Sequence, residues 1–159
     1  MNVTTPSASA IVSNLRSIIK DYNYWGTSES DSPLTIRRTK SLTDSQILSA
    51  DASMRRKVGG ASYQVPINRP IVCQSLLEVF TPLVESSKAE VLAVMGGIEE
   101  LRLPVEALEY YVQLYSTFAG LSETKVCLVD APNDPYVGLF ITGKVGDEIV
   151  VAQTLLVQT

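Results

Sequence analysis

The last third of the chain constrains its fold more than any other part. Three runs rich in β-branched residues, 125–129, 136–142 and 148–159, follow one another with a turn signal between each pair. The first signal is Ala131-Pro132-Asn133-Asp134-Pro135; the second spans residues 143–147, with glycines at 143 and 146. Turns this short join neighbouring antiparallel strands, so the three runs read as a meander. The spacing predicts that residues 148–157 pair antiparallel with 136–142. The third run reaches the last residue, so the end of the chain is expected to be ordered.

Upstream, helical periods dominate. A helix is predicted over 104–120, with Pro104 in its first turn and Gly120 as its C-terminal cap. Val105, Leu108, Tyr111, Val112, Tyr115 and Phe118 or Ala119 form its apolar face. An N-terminal helix starts at a Ser7 or Ser9 cap and runs to about residue 22, with Ile11, Val12, Leu15, Ile18 and Ile19 in one stripe. Leu34 and Ile36 alternate with Thr35 and Arg37 as a short strand. Residues 43–51 form a short helix, with Thr43 as its cap and Gln46 at the capping-box position. Residues 52–70 read as an exposed loop with one edge strand around Val65 and Ile67, and 72–85 as a helix that Pro82 interrupts. Residues 88–99 fit either a helix or a buried strand. The order is α+β: a mainly antiparallel sheet with helices on one or both faces. The chain of 159 residues suits one domain, residues 9–159, after a flexible start at 1–8.

The chain contains no histidine. That excludes a Ser-His-Asp triad, a Cys-His pair and an imidazole zinc site, and it removes the commonest acid–base group near neutral pH. Seventeen acidic residues against thirteen basic ones give a net charge of −4. That balance argues against nucleic-acid binding, which relies on Lys and Arg to neutralise phosphates, and suits a protein that stays soluble or one that binds a basic surface. No basic-then-apolar leader precedes the first helix, and no run of 18 apolar residues is present, so a cytoplasmic protein without a membrane span is expected. In that compartment Cys73 and Cys127 are expected to be buried free thiols.

Most motif-like strings have plain explanations. Ser17-Ile18-Ile19-Lys20 spells a serine–lysine motif without its companions and reads as a solvated helix face. Gly143-Lys144-Val145-Gly146 lacks phosphate-loop spacing and reads as a hairpin turn. Arg55-Arg56-Lys57 reads as a solvated loop, and Tyr111 and Tyr115 as core. Two features survive. One is the acidic loop Ser28-Glu29-Ser30-Asp31 beside Tyr24 and Trp25. The other is the end Val157-Gln158-Thr159, where a hydroxyl and a terminal carboxylate stand together. These are hard oxygen ligands of the kind Mg²⁺ or Mn²⁺ takes, but too few to make a dedicated site.

The same two places resemble the nuclease A inhibitor family, small proteins that block a sugar-nonspecific, metal-dependent nuclease. The loop reads Trp25-Gly26-Thr27-Ser28-Glu29-Ser30-Asp31-Ser32-Pro33-Leu34, and the chain closes on Thr154-Leu155-Leu156-Val157-Gln158-Thr159. The resemblance covers about half the chain, residues 15–36 and 104–159. It implies an α/β/α sandwich and a non-enzymatic inhibitor that plugs the nuclease active site. Glu29 and Thr159 would reach the partner's catalytic Mg²⁺ or Mn²⁺, with Trp25, Ser28, Asp31 and Gln158 in the same contact surface and no cofactor of the inhibitor's own. The inhibitor would touch neither nucleic acid nor membrane. Gln158 stands where the family pattern has an acid, which removes one charge beside the metal. The competing expectation is an interaction or assembly protein on the same fold with no nuclease partner. It would need an exposed apolar patch, for which residues 65–80 are the candidate.

Overall fold

The structure, a computed structural model, describes residues 6–20, 22–26 and 33–158. In chain order these residues form α1 (Ala8–Ile18), β1 (Thr35–Thr39), α2 (Asp44–Gly59), β2 (Ile71–Gln74), α3 (Leu76–Ala93), α4 (Ile98–Ala119), β3 (Ser122–Val129), β4 (Tyr136–Val145) and β5 (Glu148–Val157). The strands make one sheet in the order β1-β5-β4-β3-β2, with every neighbouring pair antiparallel. The predicted hairpin is present: Tyr136 lies opposite Val157 and Val145 opposite Glu148, so β4 and β5 pair along their full length. Gly146, with φ of 60°, makes the tight turn between them.

The pleat sends alternate side chains to opposite faces, and both faces are covered. Val126, Leu139, Ile141, Val150 and Ala152 point to one side, where Val12 and Leu15 of α1, Phe80 of α3, and Tyr111, Leu114 and Phe118 of α4 cover them. Cys127, Val129, Phe140 and Val151 point to the other side, beneath Ile47 of α2. The result is an α/β/α sandwich of the α+β class. Central β4 is buried continuously from 137 to 143, as expected of a strand with helices on both faces.

Several boundaries differ from the sequence expectation. The second helix does not stop at Asp51 but continues to Gly59, so Arg55 lies on a helix and is fully buried rather than in a solvated loop. Its start is as expected, with Thr43 and Gln46 forming a reciprocal capping box. The edge strand is at 71–74, not around Val65 and Ile67. α3 runs through Pro82, which leaves the Glu78 carbonyl without its N–H partner; both residues are exposed. Residues 88–99 are the end of α3 and the start of α4. α4 begins at Ile98, so Pro104 lies inside it, and its buried face is Ala107, Tyr110, Tyr111, Leu114 and Phe118, with Val112 exposed.

The expectation of two free thiols is overturned. Cys73 and Cys127 face each other across β2 and β3 and form a disulfide, S–S 2.12 Å. The antiparallel register puts the two residues directly opposite, which their separation of 54 in sequence does not reveal.

Tyr22, Tyr110 and Tyr111 stack where the chain leaves α1 and meets α4. Burial, with help from Tyr111 and Glu90, pushes the Tyr22 hydroxyl up to about 12, and burial also raises Tyr110 and Tyr111. An unfolded tyrosine ionises near 10, so the unfolded chain loses these protons first. The stability that Tyr22 contributes is full below pH 10 and is lost as pH rises through about 12, and the raised Tyr110 and Tyr111 hydroxyls act in the same direction. Tyrosinate absorbance in an alkaline titration should therefore show a late group of tyrosines whose ionisation coincides with loss of secondary structure. Complete ionisation near pH 10 with the fold intact would contradict this.

Candidate functional site at one end of the sheet

β1 and β5 are antiparallel neighbours, with Thr35 opposite Gln153. The start of β1 and the end of β5 therefore lie at the same end of the sheet. The turn from β3 to β4 and the start of β2 are at that end too, since Val129 pairs with both Ile71 and Gly138. Of the residues singled out in the sequence, Ser28, Glu29, Asp31 and Thr159 lie outside the described residues. Their described flanks are well fixed.

Trp25 is half-buried, its ring edge-on to Phe80 and Tyr111 at centroid distances of 5.5 and 5.8 Å. It anchors the loop to the α3–α4 pair. The N–H of Gly26 donates to the Tyr111 hydroxyl at 2.7 Å. Across the loop, Asn23 holds Leu34 from both sides: its Nδ2 donates to the Leu34 carbonyl at 3.2 Å, and its Oδ1 accepts from the Leu34 N–H at 2.8 Å. This two-bond clasp fixes both ends of the segment 24–33, so replacing Asn23 by Ala should loosen the loop while sparing the sheet. Faster amide exchange of Leu34 with unchanged exchange in β4 is the expected result. Gln158 is exposed, and its N–H donates to the Pro135 carbonyl at 2.8 Å, which ties the end of β5 to the β3–β4 turn.

That turn is braced from beneath by an ionic network that sequence reasoning missed. Arg55 and Asp51 have no exposed side-chain surface and meet at 2.8 Å across one turn of α2. Arg55 also donates to Asp134 at 2.8 Å and to the Val129 carbonyl at 2.9 Å. Asp134 accepts further from the Tyr63 hydroxyl at 2.8 Å and from the Tyr136 N–H at 3.0 Å. Arg69 reaches Asp51 at 2.6 Å and the carbonyls of Leu48 and Pro66. Two guanidiniums and two carboxylates balance, so the cluster needs no outside counter-ion. Oδ1 of Asp51 has no hydrogen-bond partner and lies where a Cβ on residue 138 would stand. Burial raises the Asp51 carboxyl above the usual carboxylate range, against the opposing pull of Arg69 and Arg55. The one signal available was the i, i+4 spacing of Asp51 and Arg55, which is cut by ending the helix at 51.

Among the described residues, no group of three or more Asp, Glu or Cys side chains is placed to hold a metal ion, and no helix is long and apolar enough to cross a membrane. In comparison with known proteins, no family model matches the chain and no curated protein is significantly similar to it.

Proposed function

We propose that this protein is a non-enzymatic inhibitor of a metal-dependent, sugar-nonspecific nuclease. In this reading Glu29 and the chain end at Thr159 reach the nuclease's catalytic Mg²⁺ or Mn²⁺. One observation carries it: the clasped segment that brackets residues 27–32 enters β1 at the end of the sheet where β5 leaves with Gln158 exposed. Such an end offers hard oxygens and negative charge to a site built for a scissile phosphate on a divalent ion.

The test is an inhibition titration against a nuclease that the native chain inhibits. A C-terminal extension converts the terminal carboxylate to an amide, and deletion of Thr159 moves it back one residue. Each should raise the inhibition constant about 30-fold or more, the scale of an interface hot spot, as should Glu29→Ala. Thr159→Ser keeps the hydroxyl and should have little effect. Equal potency for all chains discards the metal-reaching mechanism.

A second reading, an assembly protein without a nuclease partner, is favoured by exposed apolar surface in the expected region. Ile67 is fully exposed, Val72 and Leu77 are more than half exposed, and Leu77 borders a groove between α3 and α4 that Phe80, Val84 and Val112 also line. Failure of the native chain to bind any of a panel of metal nucleases favours this second reading.

A further inference from the structure

The edge strand β2 is held to the sheet by little besides one covalent bond. The Asp130 N–H donates to the Pro70 carbonyl at 3.2 Å, which sets the phase of the β2–β3 ladder. Hydrogen-bonded pairs alternate with unbonded ones in an antiparallel ladder. Val72–Leu128 and Gln74–Val126 are therefore bonded pairs, and Ile71–Val129 and Cys73–Cys127 are not. The N–H and C=O of Cys73 point to the free edge, so its tie to β3 is the disulfide. Packing adds little: Val72, Cys73 and Gln74 are exposed, and Ile71 is the one residue of β2 that packs against the core.

Fixed points bound this strand. Before it, Arg69 reaches Asp51 and the carbonyls of Leu48 and Pro66. After it, Leu76 is buried, and the Ser75 hydroxyl accepts from the Glu78 N–H at 3.1 Å, so α3 is capped from within. Residues 70–75 can leave β3 without disturbing either anchor. β3 in turn pairs with β4 from Lys125 to Val129 and keeps that partner when β2 is gone. The two sulfur-bearing residues differ in access: Cys73 is exposed and Cys127 is fully buried. A reagent in solution therefore meets the bond from the Cys73 side.

We propose that the Cys73–Cys127 bond is a redox-sensitive latch on this edge: its reduction by a dithiol frees residues 70–75 from β3, while the other four strands hold. A thiolate of the dithiol attacks Sγ of Cys73, and the electron pair of the S–S bond leaves on Sγ of Cys127, which takes up a proton. The reductant's second thiolate then attacks the mixed disulfide and releases Cys73, which is protonated in turn. Two electrons and two protons pass to the protein, and the dithiol becomes a disulfide. Opened, β3 presents the N–H and C=O groups of Val126 and Leu128 as a bare strand edge, a template for pairing with an extended segment. The latch does not depend on the inhibitor reading, since it involves the opposite edge of the sheet from β1.

The test treats the folded full chain with dithiothreitol in the absence of denaturant, traps free thiols with iodoacetamide and follows amide exchange. Reduction should proceed in the folded chain, with Cys73 alkylated before Cys127. The Val72 and Gln74 amides, which donate into the ladder, should then exchange about 100-fold faster, while the amides of 139–141 in β4 keep their protection. Oxidised glutathione should restore the slow exchange. Cys73→Ser should show the fast exchange at Val72 and Gln74 without reductant, and dithiothreitol should not change it. Four results would each show a permanent staple or a global effect and overturn the proposal. They are a bond that dithiothreitol opens only after denaturant unfolds the chain, slow exchange of Val72 and Gln74 after reduction, loss of β4 protection together with β2, and exchange that stays fast under oxidised glutathione.

Discussion

Replacing Arg55 by Ala should destabilise the protein by about 3–5 kcal/mol, the cost of leaving a buried charge without its partner. Arg55 has no exposed side-chain surface and joins three things: Asp51 on its own helix, Asp134 in the β3–β4 turn and the last carbonyl of β3. Without it, Asp51 keeps only Arg69, and Asp134 keeps Tyr63 and the Tyr136 N–H. At this chain length each kcal/mol lowers the melting temperature by roughly 2–4 °C, so the midpoint should fall by about 6–20 °C. The deficit should depend on pH with a definite sign. Burial already raises the Asp51 carboxyl, and removal of Arg55 raises it further. A folded pKa above the unfolded one gives stability that is full below the unfolded value near 3.9 and is lost as pH rises through the folded value. The Arg55→Ala deficit should therefore be smallest near pH 4 and grow toward neutrality. Denaturant titrations at several pH values check this; a pH-independent deficit would mean that lost packing, not charge, is the cause.

Gly138→Ala should cost about 3 kcal/mol, the upper end for overpacking a core. Gly138 lies on central β4, and a Cβ there would collide with Oδ1 of Asp51, whose Cγ would stand only 3.2 Å away. The carboxylate cannot move aside without giving up its bonds to Arg55 and Arg69. The backbone of Gly138 is ordinary strand rather than left-handed, so the cost is spatial. A double-mutant cycle isolates it: in an Asp51→Ala background the added methyl meets only the Phe140 ring, at 3.2 Å, and the penalty for Gly138→Ala should fall to the smaller cost of that contact. Strict additivity of the two substitutions would place the clash elsewhere.

What the sequence made legible follows from where its signals are unmixed. The meander was readable because β3, β4 and β5 carry apolar runs between strong turn residues, and β4 is covered on both faces. α2 was cut short because half of its buried face is ionic: Ile47, Asp51, Ala52 and Arg55 point inward together, and an apolar-period search stops at the first charge. α4 was started late because Pro104 looks like a first-turn residue, and only residues 98–103 show that the helix is already under way. The exposed link between α3 and α4 was invisible for the opposite reason. Leu92, Met95 and Ile98 look like core until the fold shows that nothing covers them. The disulfide needed strand register, which no count of intervening residues supplies. Of the candidate site, the anchoring role of Trp25 emerged only from packing, while Glu29 and Thr159 rest on the sequence pattern and on the placement of their neighbours.

The bond between Cys73 and Cys127 encloses all of α3, all of α4 and the link between them within one covalent ring. A protease that severs the exposed link between α3 and α4 would therefore produce no separated fragments. The cut molecule would migrate as one species until a reductant opened the ring, and then as two pieces meeting near Gly96-Gly97. Scission of this exposed segment is thus one that the molecule is wired to survive in one piece.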